Sequence, residues 1–479
     1  MTDSLKSKST VIVGGGFVGL FTALHLNHRH YQNPIILIDS QERFVFKPLL
    51  YEYLTVEMED EQVLPRYQEL LKGSKVTFIQ DKATNIDLQQ HRVELASGLH
   101  YDYQYLVLGV GSLQGYFGTE GAKQYAFPFR TREDAVSLGQ HLQSCLQQAT
   151  LVKNPTQRQA LLTVAVVGAG PSGVEMAATL ADLLPSWYAK LGGNIDDIRI
   201  VLVNHGEEIL KGDINAHLQE TALKALQSRT VPVELLLGVK VNTVSTDCLE
   251  YQSKDQKAQI LTQTTIWTAG TATNPLINNL PIPAEHRDKH GLPLVTSTLQ
   301  LPDFPDVFAA GDCAIVQDKS LPPVAQVAYQ QGAGIADNLI ALSQGKEPAP
   351  VKVNLRGTLM KLGLGNGVAN LFNKLQINGK TGDLIRNATY LEMLPTPVHN
   401  FKATTEWLTD EIFHRYHQPQ PQLKSRTSIA RNQRRSDNAF TIKVAGIFLG
   451  LSLLTGLVWA FRTTQPPRQP QPTQEQFNK

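Results

Sequence analysis

The feature that most constrains the fold is a stretch near the N-terminus, Val11 to Asp39, with the sequence VIVGGGFVGLFTALHLNHRHYQNPIILID. An apolar run leads into Gly14, Gly16 and Gly19, which have the spacing G-x-G-x-x-G, and a helix-like segment and a second apolar run follow. This order predicts a strand, a tight turn, a helix and a second strand. An ordinary βαβ turn without a ligand is the alternative.

Each glycine of this pattern has a physical role in binding a dinucleotide. The first allows the tight turn, the second lets a pyrophosphate approach the positive end of the helix, and the third lets the helix pack closely on the strand. Asp39 lies twenty residues after Gly19, where a carboxylate can accept hydrogen bonds from ribose hydroxyls. The stretch therefore predicts a dinucleotide-binding unit.

The same pattern recurs from Leu162 to Glu175, LTVAVVGAGPSGVE, with its glycines at Gly168, Gly170 and Gly173. The two fingerprints are 154 residues apart, and each follows a β-branched run. Two dinucleotide-binding domains in an α/β fold are therefore predicted. The second unit has no acid at the position that corresponds to Asp39, because its returning strand ends at Asn204, which is neutral.

Three further glycine-ended runs resemble buried strands whose ends touch a ligand: Tyr105 to Gly111, Thr264 to Gly270, and the run ending in Gly311-Asp312. The last precedes a helix, so Asp312 is expected on a cofactor's hydroxyls, with the chain returning to its first domain. A simple helix N-cap at Asp312 is the alternative.

Several connecting segments are also interpretable. Thr131 to Asp134 is a capping pattern that opens a helix, and the polar segment from 147 to 159 is interpreted as a linker. Residues 231 to 251 predict a small β-meander. The N-terminal ten residues are polar, which leaves no room for a secretory signal peptide before the first strand.

The C-terminal region differs in charge from the rest of the chain. From Phe401 onward there are 11 Lys and Arg against 5 Asp and Glu, although the whole chain has a net charge of only +1. Residues 444–461 form an 18-residue run without charge, about 27 Å long as a helix, which predicts a membrane span. A buried core helix is the alternative. The basic tail therefore indicates a membrane and not nucleic acid.

The three cysteines, Cys145, Cys248 and Cys313, are far apart and show no C-x-x-C spacing. This spacing excludes a disulfide framework and argues against a redox-active dithiol or a structural zinc site, so no metal is expected.

Taken together, the motifs resemble the two-dinucleotide-binding-domain flavoprotein reductases. Within that group the chain looks like a type II NAD(P)H:quinone oxidoreductase. The resemblance rests on the two fingerprints, FKPLLYE, YLVLGVGS, IWTAGT, FAAGDCA and AQVAYQQG, in this order, and covers roughly 11 to 413. The stretch AQVAYQQG with the following LRG segment is its most specific part.

The resemblance implies a non-covalent FAD on the first domain and NADH, with NADPH also accepted, on the second. The implied FAD contacts are Gly14, Gly16, Gly19, Asp39, Pro48, Gly109, Gly311 and Asp312. The implied NAD(P)H contacts are Gly168, Gly170, Gly173, Glu175, Asn204, Ala269 and Gly270. NADH-specific members place a glutamate where this chain has Asn204, and this difference favours use of NADPH.

The resemblance also implies a quinone pocket lined by Ala325, Gln326, Tyr329 and Gln330, with Ala325 also near the cofactor. Gln326 and Gln330 are i and i+4 on a helix, so one face presents two amides that can donate hydrogen bonds, and Gly332 is expected on that face. The catalytic group implied is Glu175, Gln326 and Gln330. A solvent-exposed polar helix face is the alternative.

The implied activity is two-electron transfer from NAD(P)H through FAD to a membrane quinone, without proton pumping. Other interpretations remain open: a biosynthetic reductase of a demethylphylloquinone-like precursor, a sulfide:quinone reductase using Cys313, a disulfide reductase, or a redox-sensing flavoprotein that regulates a membrane partner. A homodimer is compatible with the sequence.

The domains expected on this basis are FAD-binding parts at 8–160 and 291–350, and an NAD(P)H-binding domain at 161–290. A membrane-associating segment (351–416), a basic linker (417–443), a single transmembrane helix (444–461) and a polar tail (462–479) follow. Seven Lys and Arg between Arg415 and Lys443, against three in the tail, predict catalytic domains that face the cytoplasm.

Overall fold

The computed structural model describes residues 9–212, 216–254, 256–317, 321–372 and 375–395. Within them the strands, in chain order, are β1 (Thr10–Val13), β2 (Ile35–Asp39), β3 (Val76–Gln80), β4 (Ala83–Asp87), β5 (Arg92–Leu95), β6 (His100–Asp102), β7 (Tyr105–Leu108), β8 (Ser112–Gln114), β9 (Thr163–Val167), β10 (Arg199–Val203), β11 (Glu234–Leu236), β12 (Val239–Val244), β13 (Cys248–Ser253), β14 (Gln256–Leu261), β15 (Thr264–Trp267), β16 (Thr271–Thr273), β17 (Leu294–Val295), β18 (Gln300–Leu301), β19 (Phe304–Ala309), β20 (Ile315–Val316), β21 (Gly357–Lys361), β22 (Gly367–Leu371) and β23 (Leu375–Asn378).

The α-helices of the same residues are α1 (Phe17–His28), α2 (Leu50–Leu54), α3 (Asp60–Val63), α4 (Tyr67–Leu70), α5 (Ala122–Tyr125), α6 (Arg132–Leu151), α7 (Pro155–Leu162), α8 (Pro171–Lys190), α9 (Ala216–Gln227), α10 (Pro275–Asn278), α11 (Ala325–Ser343) and α12 (Gly379–Glu392). Short 3₁₀ turns at Lys47–Leu49 and Gly311–Cys313 matter for the site.

The first sheet has the strand order β18-β19-β7-β1-β2-β3. Neighbouring strands from β19 to β3 are parallel, and β18 is antiparallel to β19. The central strand β1 is buried along its whole length, as its unbroken apolar sequence predicts for a parallel strand covered on both faces. Because β18 and β19 follow all strands of the second sheet in the sequence, the chain leaves the first sheet and later returns to it.

The second sheet has the order β11-β10-β9-β15, and all its pairs are parallel. Every residue of β9 and β15 is buried. The first sheet packs within one cluster of buried apolar side chains. The second sheet contributes to two clusters, one of which also includes apolar residues of α6, α8 and α9. The strands β8 and β16 pair with each other and join the two halves of the molecule.

One expectation about a connecting segment is wrong, and another needs new bounds. The segment from 147 to 159, interpreted as a linker, is largely helical, because α6 continues to Leu151 and α7 starts at Pro155. The side chain of Asn154 caps α7 by accepting two backbone N–H groups. The meander expected at 231–251 is present as the antiparallel β12-β13-β14 sheet, which starts at Val239 and continues to Leu261. By contrast, the capping box predicted at Thr131 and Asp134 is confirmed.

The chain after α11 forms a three-stranded antiparallel sheet, β21-β22-β23, packed against α12. In the part of the chain that the structure describes, no helix has both the length and the apolar character needed to cross a membrane. The run predicted to span, 444–461, lies outside the described residues, as do 396–443 and the tail.

Candidate functional site

The two glycine fingerprints form turns with the same backbone geometry. Gly14 has φ +96° and Gly168 has φ +105°, a conformation that favours glycine. A methyl group on Gly19 would overlap the carbonyl oxygen of Gly14, and one on Gly173 would overlap that of Gly168. The first and third glycines of each motif are therefore required by the fold itself.

The second glycines have a different role. A Cβ on Gly16 would have no neighbour closer than 3.9 Å, and one on Gly170 would have none within 4 Å. Both residues are exposed and lie immediately before the first residue of α1 or α8. The fold leaves this space clear at two helix N-termini, which fits the approach of a pyrophosphate group to the backbone.

Asp39 and Asn204 occupy the same place in the two units. An Asp39 carboxylate oxygen accepts the N–H of Gly15 at 2.6 Å, and the Asn204 amide oxygen accepts the N–H of Ala169 at 3.1 Å. Burial raises the pKa of Asp39, while hydrogen bonds from the N–H groups of Gln41 and Gly15 act in the opposite direction. The Asn204 amide also donates to the carbonyls of Gly206 and Glu208.

The residues predicted around the first turn come together in the structure. A Cβ on Gly14 would lie 2.6 Å from the carbonyl oxygen of Gly109, and a Cβ on Gly311 would lie 2.9 Å from Val18 of α1. Gly311 has φ +71° and begins the turn that carries Asp312. These backbones meet at the carboxyl ends of the parallel strands, where open α/β sheets bind ligands.

Three polar residues that the sequence did not single out hold the Asp312 turn. Gln331 accepts the N–H of Gly311 at 2.8 Å. Ser112 donates to the Asp312 carboxylate at 3.1 Å, and Arg130 donates to the carbonyl and hydroxyl oxygens of Ser112. The doubled glutamine in AQVAYQQG was the available signal for Gln331. Asp312 does not cap α11, which begins at Ala325 after Val324.

The second turn is bordered by the residues that follow β15. Thr268 donates its hydroxyl to the carbonyls of Val167 and Gly168, and a Cβ on Gly168 would lie 2.8 Å from the nitrogen of Ala269. Gly270 has φ +73°. The structure thus brings Ala269 and Gly270 next to the second fingerprint, as the sequence predicts.

A buried ionic cluster lies between the loop that contains Pro48 and the C-terminal sheet. Lys361 donates to Glu52 at 2.9 Å, and Arg386 donates to the same carboxylate at 2.6 Å. A second Arg386 nitrogen donates to the carbonyl of Pro48 at 2.7 Å. Burial opposes ionisation of Glu52, but Arg386 and Lys361 outweigh it and hold the pKa of Glu52 at about 2.

Glu175, two residues after the third glycine of the second fingerprint, faces this cluster. Its carboxylate accepts the backbone N–H of Lys361 at 2.8 Å. Burial raises the pKa of Glu175 to about 7, although Arg386 partly offsets the effect. Burial likewise raises the pKa of Asp383 to about 6, against Lys361 and Arg386. The site therefore contains carboxyl groups that can exchange a proton near neutral pH.

The helix expected to line the quinone pocket begins at Ala325. Gln326 and Gln330 do share a face, but both amides bind the backbone of residues 354–357. Gln326 donates to the carbonyl of Gly357 and accepts from Arg356 N–H. Gln330 donates to the carbonyls of Gln326 and Asn354 and accepts from Asn354 N–H.

These bonds correct the expectation that both amides are available to donate hydrogen bonds. Both amide protons of Gln330 are used within the chain, whereas Gln326 donates one to the residues that the structure describes. The expectation that Gly332 shares this face is also wrong, because Gly332 packs on Val18 of α1. Tyr329 also turns toward α1, where its ring meets Phe21 edge-on at 4.6 Å. Ala325 is partly exposed at the start of the helix.

The thiols do not form a redox site. All three cysteines are free, and Cys145 and Cys313 are buried. Burial raises the pKa of Cys313 to about 11, so its nucleophilic thiolate is scarce at neutral pH. Among the residues that the structure describes, no cluster of His, Cys, Asp and Glu is suited to hold a metal ion. Thiol-based disulfide or sulfide chemistry therefore has no support in the site.

The fold and the site define an α/β protein with two dinucleotide-binding units whose ligand-facing turns are kept open by glycine. Residues 8–332 match the pyridine nucleotide-disulphide oxidoreductase family, and the chain belongs to this family. The family depends on FAD.

Relatives within the family are quinone reductases by name. The chain is 33% identical over 411 residues to a demethylphylloquinone reductase of Synechocystis, covering 83% of this chain and 95% of that protein. It is 30% identical to the alternative NAD(P)H-ubiquinone oxidoreductase C1 of Arabidopsis thaliana, covering 84% of this chain and 80% of that protein. These matches confirm the resemblance to type II quinone oxidoreductases.

Solved structures show the same fold. The NDH2 structure from Plasmodium falciparum in complex with NADH superposes with a TM-score of 0.77 at 18% identity, covering 86% of this chain and all of that one.

Proposed function

We propose that the protein is an FAD-dependent oxidoreductase that transfers two electrons from NAD(P)H to a quinone. The observation that carries this proposal is the pair of open glycine turns, one beside Gly109 and Asp312 and the other beside Ala269 and Gly270. The first turn would hold FAD and the second NAD(P)H, and FAD would supply the two-electron redox chemistry that links the nucleotide to the quinone. With one proton taken up from the medium, the products are NAD(P)⁺ and the quinol.

In this proposal the first unit holds FAD. Gly16 lets the pyrophosphate approach, Asp39 accepts from ribose hydroxyls, and Asp312 accepts from hydroxyls nearer the flavin. Gly14, Gly19, Gly109 and Gly311 keep the surrounding backbones close, and Pro48 belongs to the loop facing the ring. Since no residue marks itself as a covalent attachment point, acid precipitation should release the flavin, and flavin that remained in the pellet would refute non-covalent binding.

The second unit holds NAD(P)H at Gly168, Gly170 and Gly173, with Ala269 and Gly270 beside them. The neutral Asn204 places no carboxylate against a 2′-phosphate, which supports the use of NADPH as well as NADH. Its amide protons are already bonded to Gly206 and Glu208, so Asn204 tolerates the phosphate and does not bind it.

Glu175 is proposed as the group that exchanges the proton needed for quinol formation. Its pKa of about 7 leaves it partly protonated at neutral pH, and the cationic Lys361 and Arg386 lie beside it. A general acid works best when its pKa is near the operating pH. Glu175→Gln should therefore slow the quinone half-reaction by about 10²-fold or less. The rate of this half-reaction should also vary less with pH between 6 and 8.

The quinone is placed at the first turn of α11, with Ala325, Gln326, Tyr329 and Gln330 in different roles. Ala325 leaves room for a flat ring, and Gln326 supplies its one remaining amide proton. Gln330 fixes the wall formed by 354–357, and Tyr329 anchors the helix on α1.

We also propose that the protein is held at a membrane, with the catalytic domains in the cytoplasm. The side chains of Leu355, Phe372 and Leu375 are apolar and exposed, which supports contact with lipid. They lie near one another because the Phe372 N–H bonds to the carbonyl of Arg356 and Leu375 pairs with Leu371 across the β-ladder. The uncharged run 444–461 is the proposed single span. A protein truncated after Arg435 should remain active but be released from membranes more readily. Cleavage of a C-terminal tag by protease added on the cytoplasmic side would refute the span.

The deciding experiment is anaerobic reduction of the purified protein by NADH or NADPH, followed by mixing with a short-chain quinone. Rapid flavin reduction and rapid reoxidation over many turnovers would support the proposal. A flavin that is reduced once and reoxidised slowly would instead indicate a redox sensor. Because a relative with 33% identity is named a demethylphylloquinone reductase, a demethylated naphthoquinone should be compared with a ubiquinone analogue.

A further inference from the structure

Phe117 is an aromatic residue in an unusual conformation at the mouth of the second turn. It lies in the loop after β8, its backbone has φ +51°, and its side chain is 76% exposed. A bulky residue seldom adopts a positive φ, and such strain often marks a ligand site. The next residue, Gly118, also has a positive φ of +70°, so the backbone makes a sharp turn that projects the ring.

The ring lies directly against Gly270. A Cβ on Gly270 would overlap the tip of the Phe117 ring, so the absence of a side chain at Gly270 makes room for it. Gly270 follows β15 and lies next to Ala269, whose backbone touches Gly168 of the second fingerprint. Phe117 therefore lies at the carboxyl end of the second sheet, on the side where a dinucleotide enters.

The loop that carries Phe117 is fixed to this turn by several hydrogen bonds. Gln114 donates to the carbonyls of Ala269 and Gly270, at 2.8 and 3.0 Å. Trp267 donates its ring N–H to the carbonyl of Gly115 at 2.9 Å. The strand before this loop, β8, begins at Ser112, which bonds to Asp312 in the first unit. A rigid loop thus runs from the first ligand turn to the second.

We propose that Phe117 is a binding residue for the nicotinamide nucleotide. Its exposed face packs against the planar or ribose part of NAD(P)H, and its other edge rests on Gly270. This inference rests on the proposed assignment of the second unit to NAD(P)H. It adds a contact that the glycine motifs do not contain, since an aromatic face supplies apolar area and a preferred stacking geometry that a backbone turn lacks.

The test uses the full-length protein with FAD bound and measures the dissociation constant of NAD⁺ by calorimetry, because NAD⁺ binds without reacting. Phe117→Ala should raise the dissociation constant about three- to tenfold, the size expected for loss of one aromatic contact. Phe117→Tyr should restore affinity to within twofold. The limiting rate of flavin reduction at saturating NADH should change little, so the loss appears in KM and not in kcat.

Leu113→Ala is the matched control, because Leu113 is an exposed apolar residue of β8 in the same connection. It should leave NAD⁺ affinity, FAD content and thermal stability unchanged. Equal NAD⁺ affinity in Phe117→Ala and the wild type would overturn the inference. So would equal weakening by Phe117→Ala and Leu113→Ala, or a Phe117→Tyr variant as weak as Phe117→Ala.

The test of Phe117 does not depend on whether the electron acceptor is a quinone. A wild-type protein that binds NAD⁺ but fails to reduce quinones refutes the proposed acceptor and leaves the comparison of Phe117 variants intact. A wild-type protein that does not bind NAD⁺ overturns both the assignment of the second unit and the role of Phe117.

Discussion

The two fingerprint units share a backbone and differ in the residues placed on it. Asp39 in the first unit and Asn204 in the second each accept the N–H that follows the first glycine of the turn. Because an acid and an amide make the same bond, the turn requires an acceptor at this position and not a charge. The charge at this position can therefore differ with the ligand, with an acid beside the proposed FAD ribose and a neutral group beside the proposed NAD(P)H site.

A second difference lies two residues after the third glycine. The first unit has Phe21, whose ring packs on Tyr329 of α11, and the second has Glu175, which accepts the N–H of Lys361. The same helical position is thus apolar where another helix covers it and acidic where it faces the buried ionic cluster. The shared backbone forms the two turns, while the element packed on each helix determines whether the side chain at this position is apolar or acidic.

The largest effect should come from closing one turn at a time. Gly19→Ala places a methyl against the Gly14 carbonyl, and Gly173→Ala places one against Gly168. Overpacking of this kind costs about 1–3 kcal/mol or more, so ligand affinity should fall roughly tenfold to hundredfold. Gly19→Ala should lose FAD on purification, whereas Gly173→Ala should keep FAD and bind NAD⁺ weakly. Flavin absorbance and NAD⁺ titration measure this, and equal loss of FAD in both variants would break the comparison.

The second test places a carboxylate directly after β10, to match Asp39 at the end of β2. Asn204→Glu and Asn204→Asp both introduce a carboxylate, and the aspartate can keep the bond to Ala169 as Asp39 does to Gly15. Repulsion of a 2′-phosphate should lower kcat/KM for NADPH by about 1–3 kcal/mol and affect NADH much less. Steady-state kinetics with both nucleotides check this, and an unchanged NADPH/NADH ratio would show that Asn204 does not face the phosphate.

A third test concerns Glu175 and stability. Its pKa rises from 4.5 to about 7 on folding, so the folded state binds an extra proton between these values and loses stability as the pH rises through them. Glu175→Gln lacks this loss. Above pH 7 it should be more stable than the wild type by about 3 kcal/mol, with no gain below pH 4.5. Urea unfolding of the two proteins across this range measures the difference, and a pH-independent difference would refute the raised pKa.

The smallest effect is expected at α11, which packs on α1 of the first unit. Gln326→Ala removes the proposed hydrogen bond to quinone, together with the bonds to Gly357 and Arg356, and should slow flavin reoxidation by about 0.5–1.5 kcal/mol, a few-fold to tenfold. Flavin content and reduction by NADH should stay nearly intact. Gln330→Ala is the comparison, since Gln330 has no free amide proton. Stopped-flow traces in which only the reductive half-reaction slows would assign the helix to the wrong substrate.

The sequence predicted the turns better than the connections between them. Glycines, β-branched runs and strand-end acids act locally, so Gly14, Gly168 and Asp39 could be assigned directly. The segment 147–159 was misjudged because polar composition does not distinguish an exposed helix from a linker, and the Asn154 cap was overlooked. Both glutamines of α11 were predicted to contact the quinone, because their partners in the backbone of 354–357 lie far along the chain and could not be recognised from the sequence.

The sequence by itself determined the two dinucleotide turns and their order, because close backbone approach leaves glycine as the residue that fits there. Only the tertiary structure decided the environment of those turns. Lys361 and Arg386 look like ordinary surface charges in the sequence, and they become functional candidates because folding buries them against Glu52 and beside Glu175. A group's pKa and its free hydrogen-bonding capacity depend on burial and on partners that are close in space but distant along the chain, so neither property is encoded locally.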